Sequence, residues 1–189
     1  MKKALLITPF PPNQGGGAVN VKSAIPYFKD VEVEWVYLNN KDLKLDGYTH
    51  LGNFLIGGSL GKDLTNSLLL WLGIKTKAFQ QILDKIRAIK TDIYWVVGYN
   101  EGILIARELA LTTNIPVHIS LHDDIPYGVL GRSNRYRWLA GIAQQRNTEA
   151  LRAARSVDVT SDAMRDYYQR TIGVDSVVFH PCLLYTSDA

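Results

Sequence analysis

The feature that most constrains this chain is an apolar run, a proline-rich turn and three glycines within the first 28 residues. Residues 4–7 are apolar, residues 8–12 break that run, and Gly15, Gly16 and Gly17 precede apolar residues at helical spacing up to Phe28. This order predicts a strand, a glycine loop and a helix. The free N–H groups at a helix start suit an anion, and glycines let a phosphate approach the main chain. The alternative is a glycine loop that only turns the chain.

Length and composition favour a single α/β domain. The chain has 189 residues, 47% of them hydrophobic, which is enough for a complete core. Its longest apolar run, residues 68–72, is far shorter than the roughly 20 residues that span a bilayer, and no signal-peptide pattern is visible at the N-terminus. We therefore expect a cytoplasmic protein. A single cysteine, Cys182, and four histidines without paired spacing predict neither an internal disulfide nor a metal site.

The basic residues are unevenly distributed. The net charge of +3 is too small to indicate nucleic-acid binding, but six arginines and one acid, Glu149, lie between Arg132 and Arg155. Apolar residues from Trp138 onwards could share a helix with these arginines and form a face for anionic lipid or an anionic substrate. The sequence thus leaves two interpretations open, a solvated basic face, which charged runs usually form, and a peripheral membrane contact.

Strand-like and helix-like stretches alternate along the chain without repeats. Strands are predicted at residues 31–38, 93–97, 117–121, 157–160 and from 177 onwards, and helices at about 79–89, 103–111, 132–155 and 162–172. The first of these strands is expected to have one wetter face, because Glu32 and Glu34 alternate with apolar residues. The Gly-rich residues 42–64 receive no assignment. This alternation predicts a doubly wound, mostly parallel, Rossmann-like sheet.

A sheet of this kind binds ligands at the carboxyl ends of its strands. Four segments are expected to meet there, namely the glycines, residues 98–102 with Asn100 and Glu101, residues 122–124, and residues 160–161. Ser161 is also a predicted helix N-cap, and Gly173 the residue that ends the same helix.

Several common nucleotide and hydrolase motifs are absent. A dinucleotide fingerprint would need a third glycine where Asn20 stands, and the second strand ends without the acidic ribose ligand. No Gly-Lys-Ser/Thr follows the glycines, which excludes a Walker A loop, and no Gly-x-Ser-x-Gly elbow occurs.

Three segments together carry a family resemblance. The residues 9–12 before the glycines, the pair His122 and Asp123, and residues 159–164 with Gly173 resemble the N-terminal domain of GT-B glycosyltransferases of the family-4 type. The resemblance covers about residues 2–181 and implies one acceptor-side domain over residues 1–181. It also implies a C-terminal domain, not contained in this sequence, that holds most of the nucleotide-sugar donor. Residues 182–189 resemble a translated sequencing adapter, and the alternative is an ordinary polar tail.

The resemblance also implies roles for individual residues. Gly16 and Gly17, with Gly15, would approach the donor diphosphate, while His122 would reach the reacting sugar and Asp123 would orient the imidazole or the acceptor. A plain loop histidine and a plain helix cap are the alternatives for this pair. The candidate substrate-binding residues are Asn100, Glu101, Tyr127 and Ser161.

The expected function is therefore that of the acceptor-side domain of a retaining glycosyltransferase. Its donor would be a nucleotide-diphosphate sugar, used as a co-substrate with no further cofactor, and its acceptor a cell-envelope glycan or a lipid-linked molecule. This chain alone is expected to be inactive. The alternative is a stand-alone phosphate- or nucleotide-binding module, Rossmann-like or flavodoxin-like, without catalysis.

Overall fold

Parallel strand pairing organises the whole described chain. The computed structural model describes residues 1–13, 15–38, 45–52, 68–99, 102–122 and 138–179. Within them, seven strands form one all-parallel sheet in the order β3-β2-β1-β4-β5-β6-β7. The strands are β1 (Lys2–Thr8), β2 (Val31–Leu38), β3 (Thr49–Gly52), β4 (Ile93–Val97), β5 (Val117–Leu121), β6 (Ser156–Val159) and β7 (Val177–Val178).

Helices cover both faces of this sheet. They are α1 (Gly15–Ala24), α2 (Lys77–Ala88), α3 (Gly102–Thr112), α4 (Ala140–Ala153) and α5 (Asp162–Ile172), with a 3-10 turn at Ile25–Tyr27. The strand order reverses at β1, so α1 packs on one face and α2 to α5 pack on the other. The predicted doubly wound α/β fold is confirmed, and the sheet is entirely parallel.

The strand β1 is buried on both faces. Leu5 and Ile7 belong to the larger core, under α2 to α5, whereas Leu6 belongs to the smaller core under α1. All three side chains are fully buried. Parallel sheets enclosed by helices require such continuous apolar strands, and this is why residues 4–7 were recognisable in the sequence.

The strand β2 differs from its prediction over its second half. Glu32 is exposed and Glu34 is partly accessible, as expected, but Val36 and Leu38 on the same face are fully buried in the larger core. The prediction of one wetter face therefore holds only at the beginning of the strand. Residues 42–64, which received no assignment, contain β3, whose Leu51 packs into the same core.

Three predicted helix boundaries are wrong. The helix α1 begins at Gly15, so the glycines form its first turn and not a loop before it, and it ends at Ala24 instead of near Phe28. Pro26 lacks the N–H that a continuing α-helix would need, and the chain passes into the 3-10 turn. The arginine-rich helix was predicted from residue 132, whereas α4 begins at Ala140 and residues 123–137 lie outside the described part.

The apolar residues of α4 pack inside the molecule. Leu139, directly before the helix, and Ala143, Ala150 and Leu151 within it are buried in the larger core. These side chains are therefore not available to a lipid surface, whereas Trp138, the first residue of the predicted apolar face, is 59% exposed. The peripheral membrane contact stays a prediction. Among the described residues, no helix is both long enough and apolar enough to cross a bilayer.

An ionic cluster joins α3 to α4. Glu149 Oε2 accepts hydrogen bonds from Arg107 Nε at 2.6 Å and from Arg146 Nη1 at 3.1 Å. Burial raises the pKa of this carboxyl, but the hydrogen bonds from the two guanidinium groups outweigh it, so the net pKa is below its ordinary value.

Candidate functional site

The turn after β1 is fixed by a buried threonine. Thr8 Oγ1 donates to the carbonyl oxygen of Phe10 at 2.6 Å and accepts from Trp35 Nε1 at 2.8 Å. Thr8 is fully buried, so its hydrogen bond with Trp35 is shielded from water, and the bond to Phe10 is partly buried. They hold the proline-rich segment in a defined path towards the first turn of α1.

Phe10, Gly17 and His122 meet at the carboxyl ends of β1 and β5. A Cβ atom on Gly17 would lie 2.8 Å from Phe10 Cζ and 3.3 Å from His122 Nδ1. The structure thus brings together the glycine segment and the histidine, which are more than 100 residues apart in the sequence. The Phe10 and His122 side chains occupy the space that a Cβ at position 17 would need. The sequence alone did not predict this packing.

The main chain of His122 is held from the neighbouring strand. Thr160 Oγ1 donates to the carbonyl oxygen of His122 at 3.2 Å, directly after the β5–β6 pairing of Leu121 with Val159. The imidazole Nδ1 is shielded from solvent. His122 is therefore fixed through its backbone on one side and through its ring contacts with α1 on the other.

Ser161 caps α5, which begins at Asp162, as predicted. Its Oγ accepts the N–H of Met164 at 3.2 Å, and Gly173 ends the helix with φ 67° and ψ 31°. Both capping predictions are confirmed. Because its hydroxyl already satisfies a backbone donor of the helix, a role of Ser161 in substrate binding stays a prediction.

A second polar cluster was missed in the sequence. Trp95 Nε1 donates to Ser120 Oγ at 2.7 Å, and Ser120 Oγ donates to Asp158 Oδ2 at 2.6 Å. His118 Nε2 lies 2.7 Å from the same carboxylate oxygen. His118, Ser120 and His122 alternate along the chain, and this period of two is the signal that could have placed them on one face of the sheet.

Trp95, Ser120, His122 and Asp158 border a cleft beneath α1. Its volume is about 240 Å³, and its lining combines apolar side chains with a few polar ones. The lining residues are Asn20, Val21, Ala24, Tyr27, Phe28, Trp95, Ser120, His122, Asp158 and Phe179. His122 therefore belongs both to the contact with Gly17 and to the wall of this cleft.

Several predicted residues lie outside the described part of the chain. They are Asn100, Glu101, Asp123, Tyr127 and the tail 182–189. Their predicted roles stay predictions. Among the described residues, no group of three histidine, cysteine or acidic side chains is placed to hold a metal ion.

Comparison with known proteins identifies relatives by fold alone. No protein-family model matches the chain, and no curated protein matches it. UGT2 of Phytolacca americana, complexed with UDP-2fluoro-glucose and pterostilbene, superposes with a TM-score of 0.54 at 11% identity. That match covers 95% of this chain and 54% of that chain.

A second relative is an alpha-glucosyltransferase in complex with UDP and a 13-mer DNA containing a HMU base. It has a TM-score of 0.51 and 14% identity, and the match covers 95% of this chain and 42% of that chain. This chain therefore spans about half the length of the solved structures it matches. At such identities the comparison shows a shared fold, that of GT-B glycosyltransferases, while the family-4 type stays a prediction.

Proposed function

We propose that this chain is the acceptor-side domain of a nucleotide-sugar-dependent, retaining glycosyltransferase. The observation that carries the proposal is the contact of His122 with the first turn of α1, at the carboxyl edge of the sheet. Ligands of doubly wound folds bind at this edge. The glycosyltransferase fold of the matched structures, and the fact that this chain spans about half their length, support a second domain that completes the site.

The first turn of α1 would receive the donor diphosphate. Helix N-termini offer free N–H groups and the positive end of the helix dipole, which attract phosphate oxygens. Gly15 and Gly16 begin this turn. Their lack of side chains would let a phosphate reach the main chain, whereas Gly17 is already required by the contact with Phe10 and His122.

His122 would act on the reacting sugar. Transfer breaks the bond between the anomeric carbon and the diphosphate, forms a bond to the acceptor oxygen and releases the acceptor's hydroxyl proton. An imidazole can hydrogen-bond a sugar hydroxyl or handle a proton near neutral pH. The hydrogen bond from Thr160 Oγ1 to the carbonyl oxygen of His122 fixes the main chain there, and a catalytic group needs such a fixed position.

The chain alone is proposed to be inactive. Departure of the diphosphate requires positive groups that stabilise the developing charge, and in this proposal they belong to the second domain. We expect weak binding of nucleotide sugars by the isolated chain. Micromolar affinity for a uridine or guanosine diphosphate sugar, measured by calorimetry, would contradict this part of the proposal.

The acceptor is proposed to be a cell-envelope glycan or a lipid-linked molecule, with the domain lying peripherally at the membrane. With most apolar side chains of α4 buried, attraction would come mainly from the arginines of residues 132–155, together with the exposed Trp138. Binding to anionic vesicles should then weaken steeply with salt. Binding that is indifferent to salt, or equal on neutral vesicles, would remove the membrane contact.

A stand-alone phosphate-binding module is the second candidate, and it is favoured by the same glycine-rich first turn of α1. The test is to recover the uninterrupted reading frame from the source DNA and assay the complete protein with a panel of nucleotide sugars. A second α/β domain and acceptor-dependent release of nucleoside diphosphate support the transferase. A native stop near residue 190 and binding without turnover support the module.

A further inference from the structure

The cleft beneath α1 has the properties of a binding site in its own right. We propose that it binds a compact aromatic alcohol of one or two rings, with the rings among the apolar residues and the hydroxyl at Asp158. This binding is independent of the proposed function.

The volume of the cleft suits a compact ligand. An apolar cavity of about 150 Å³ accommodates benzene, and pockets for complete drug-sized ligands are about 300–1,000 Å³. The cleft, at about 240 Å³, lies between these values. It is large enough for two fused rings and too small for an oligosaccharide.

Aromatic side chains line the apolar part. Phe28 and Trp95 meet edge to face, with ring centroids 5.2 Å apart and an interplanar angle of 63°. Tyr27 and Phe28 remain 65% and 43% exposed at the rim. Aromatic side chains left open to water beside a cleft favour a ligand with its own aromatic surface, because stacking adds to the burial of apolar area.

The polar part selects a hydroxyl and rejects an acid. Asp158 is held in place because Ser120 Oγ and His118 Nε2 both lie within 2.7 Å of its Oδ2. A carboxylate fixed in this way can accept a hydrogen bond from a ligand hydroxyl. It repels a ligand carboxylate because both groups carry a negative charge. The structure therefore predicts discrimination between ligands that differ only in this group.

The experiment uses this chain, 2-naphthol and its acid counterpart 2-naphthoate. The readout is the NMR signal of the Trp95 indole N–H, which is hydrogen-bonded beside Asp158. We expect 2-naphthol to shift this signal with a Kd of about 1 mM, an affinity suited to a ligand of this size. We expect 2-naphthoate to bind about tenfold more weakly.

Two variants test the location, and a third serves as control. Asn20→Phe would fill the cleft from the partly exposed face of α1, and Phe28→Ala would remove the ring at the rim. Each should weaken 2-naphthol binding about fivefold or more. Leu111→Ala, which changes a side chain 53% exposed near the end of α3, should leave it unchanged. If Phe28→Ala fails to fold, Asn20→Phe still decides.

Three results would overturn the proposal. They are no shift of the Trp95 signal with 2-naphthol, equal binding of 2-naphthoate, and binding that survives Asn20→Phe. A shift that appears on raising the protein concentration alone would show a second copy in the cleft and would also overturn it. If the cleft binds 2-naphthol but the complete protein transfers no sugar, only the proposed function is refuted. If the complete protein transfers sugar but the cleft binds no 2-naphthol, only the cleft proposal is refuted.

Discussion

Gly17 and His122 lie so close together that a Cβ atom on the glycine would stand 3.3 Å from the imidazole Nδ1. One residue belongs to the first turn of α1, and the other directly follows β5. The contact therefore joins the two segments that the sequence predicts at the ligand-binding edge of the sheet. It also requires a residue without a side chain at position 17.

Gly17→Ala should destabilise the protein by about 1–3 kcal/mol, because the new methyl group would force the Phe10 ring to move. Urea unfolding measures the loss. In a Phe10→Leu background the ring atoms at 2.8 and 3.0 Å are absent. Gly17→Ala should therefore cost less stability in that background than in the wild type. A Gly17→Ala protein as stable as the wild type would contradict the observed packing.

Gly102→Ala should destabilise the protein, whereas alanine at Gly141, another helical glycine, should not. A Cβ at Gly102 would lie 2.5 Å from the carbonyl oxygen of Val97, and a backbone atom cannot move aside as a side chain can. We expect a loss of about 3 kcal/mol or more. Gly141→Ala meets no atom within 4 Å and should gain about 0.5 kcal/mol. Equal effects in thermal unfolding would be inconsistent with the packing at the start of α3.

Ser161→Ala should lower stability by about 1 kcal/mol, since it removes the acceptor for the N–H of Met164. For a chain of this length the expected shift in Tm is about 2–4 °C. Ser161→Asp should keep most of the stability, because aspartate also caps helices and favours the positive end of the dipole. If alanine and aspartate behave alike, the capping role is wrong.

Glu149 should contribute to stability at neutral pH and lose that contribution in acid. Its pKa in the folded chain lies below the ordinary value, so the unfolded chain takes up protons first as the pH falls. The contribution is complete above the unfolded pKa of about 4.3 and disappears as the pH drops through the folded value. The difference in unfolding free energy between wild type and Glu149→Gln should shrink below about pH 4. A difference independent of pH would argue against the ion pairs with Arg107 and Arg146.

The fold was predictable where the signals are local. The continuous apolar run of residues 93–97 indicates a buried parallel strand, and Ser161 and Gly173 carry the usual residue types of helix ends. The strand β3 was missed because it has four residues, of which only Leu51 is buried. So short an edge strand has no periodicity that a sequence could display.

The candidate site was only partly predictable, because its contacts join distant residues. The topology of parallel strands predicts that the glycines and His122 share one edge of the sheet. Gly17 is helical despite the low helix propensity of glycine, because Phe10 and His122 pack against it. Such tertiary contacts cannot be predicted from local sequence. Trp95 and Asp158 are brought together only by the register of β4, β5 and β6.

The most direct test of the proposed function is the turnover of the complete protein carrying His122→Ala. We predict a decrease in kcat of about 100-fold, the scale of a positioned polar group in the transition state, with little change in Tm. His50→Ala, on the edge strand β3 where its ring stacks on Tyr37, is the matched control and should retain wild-type turnover. A His122→Ala protein with full activity, or one that loses activity only by unfolding, would contradict the assignment of His122 to the reacting sugar.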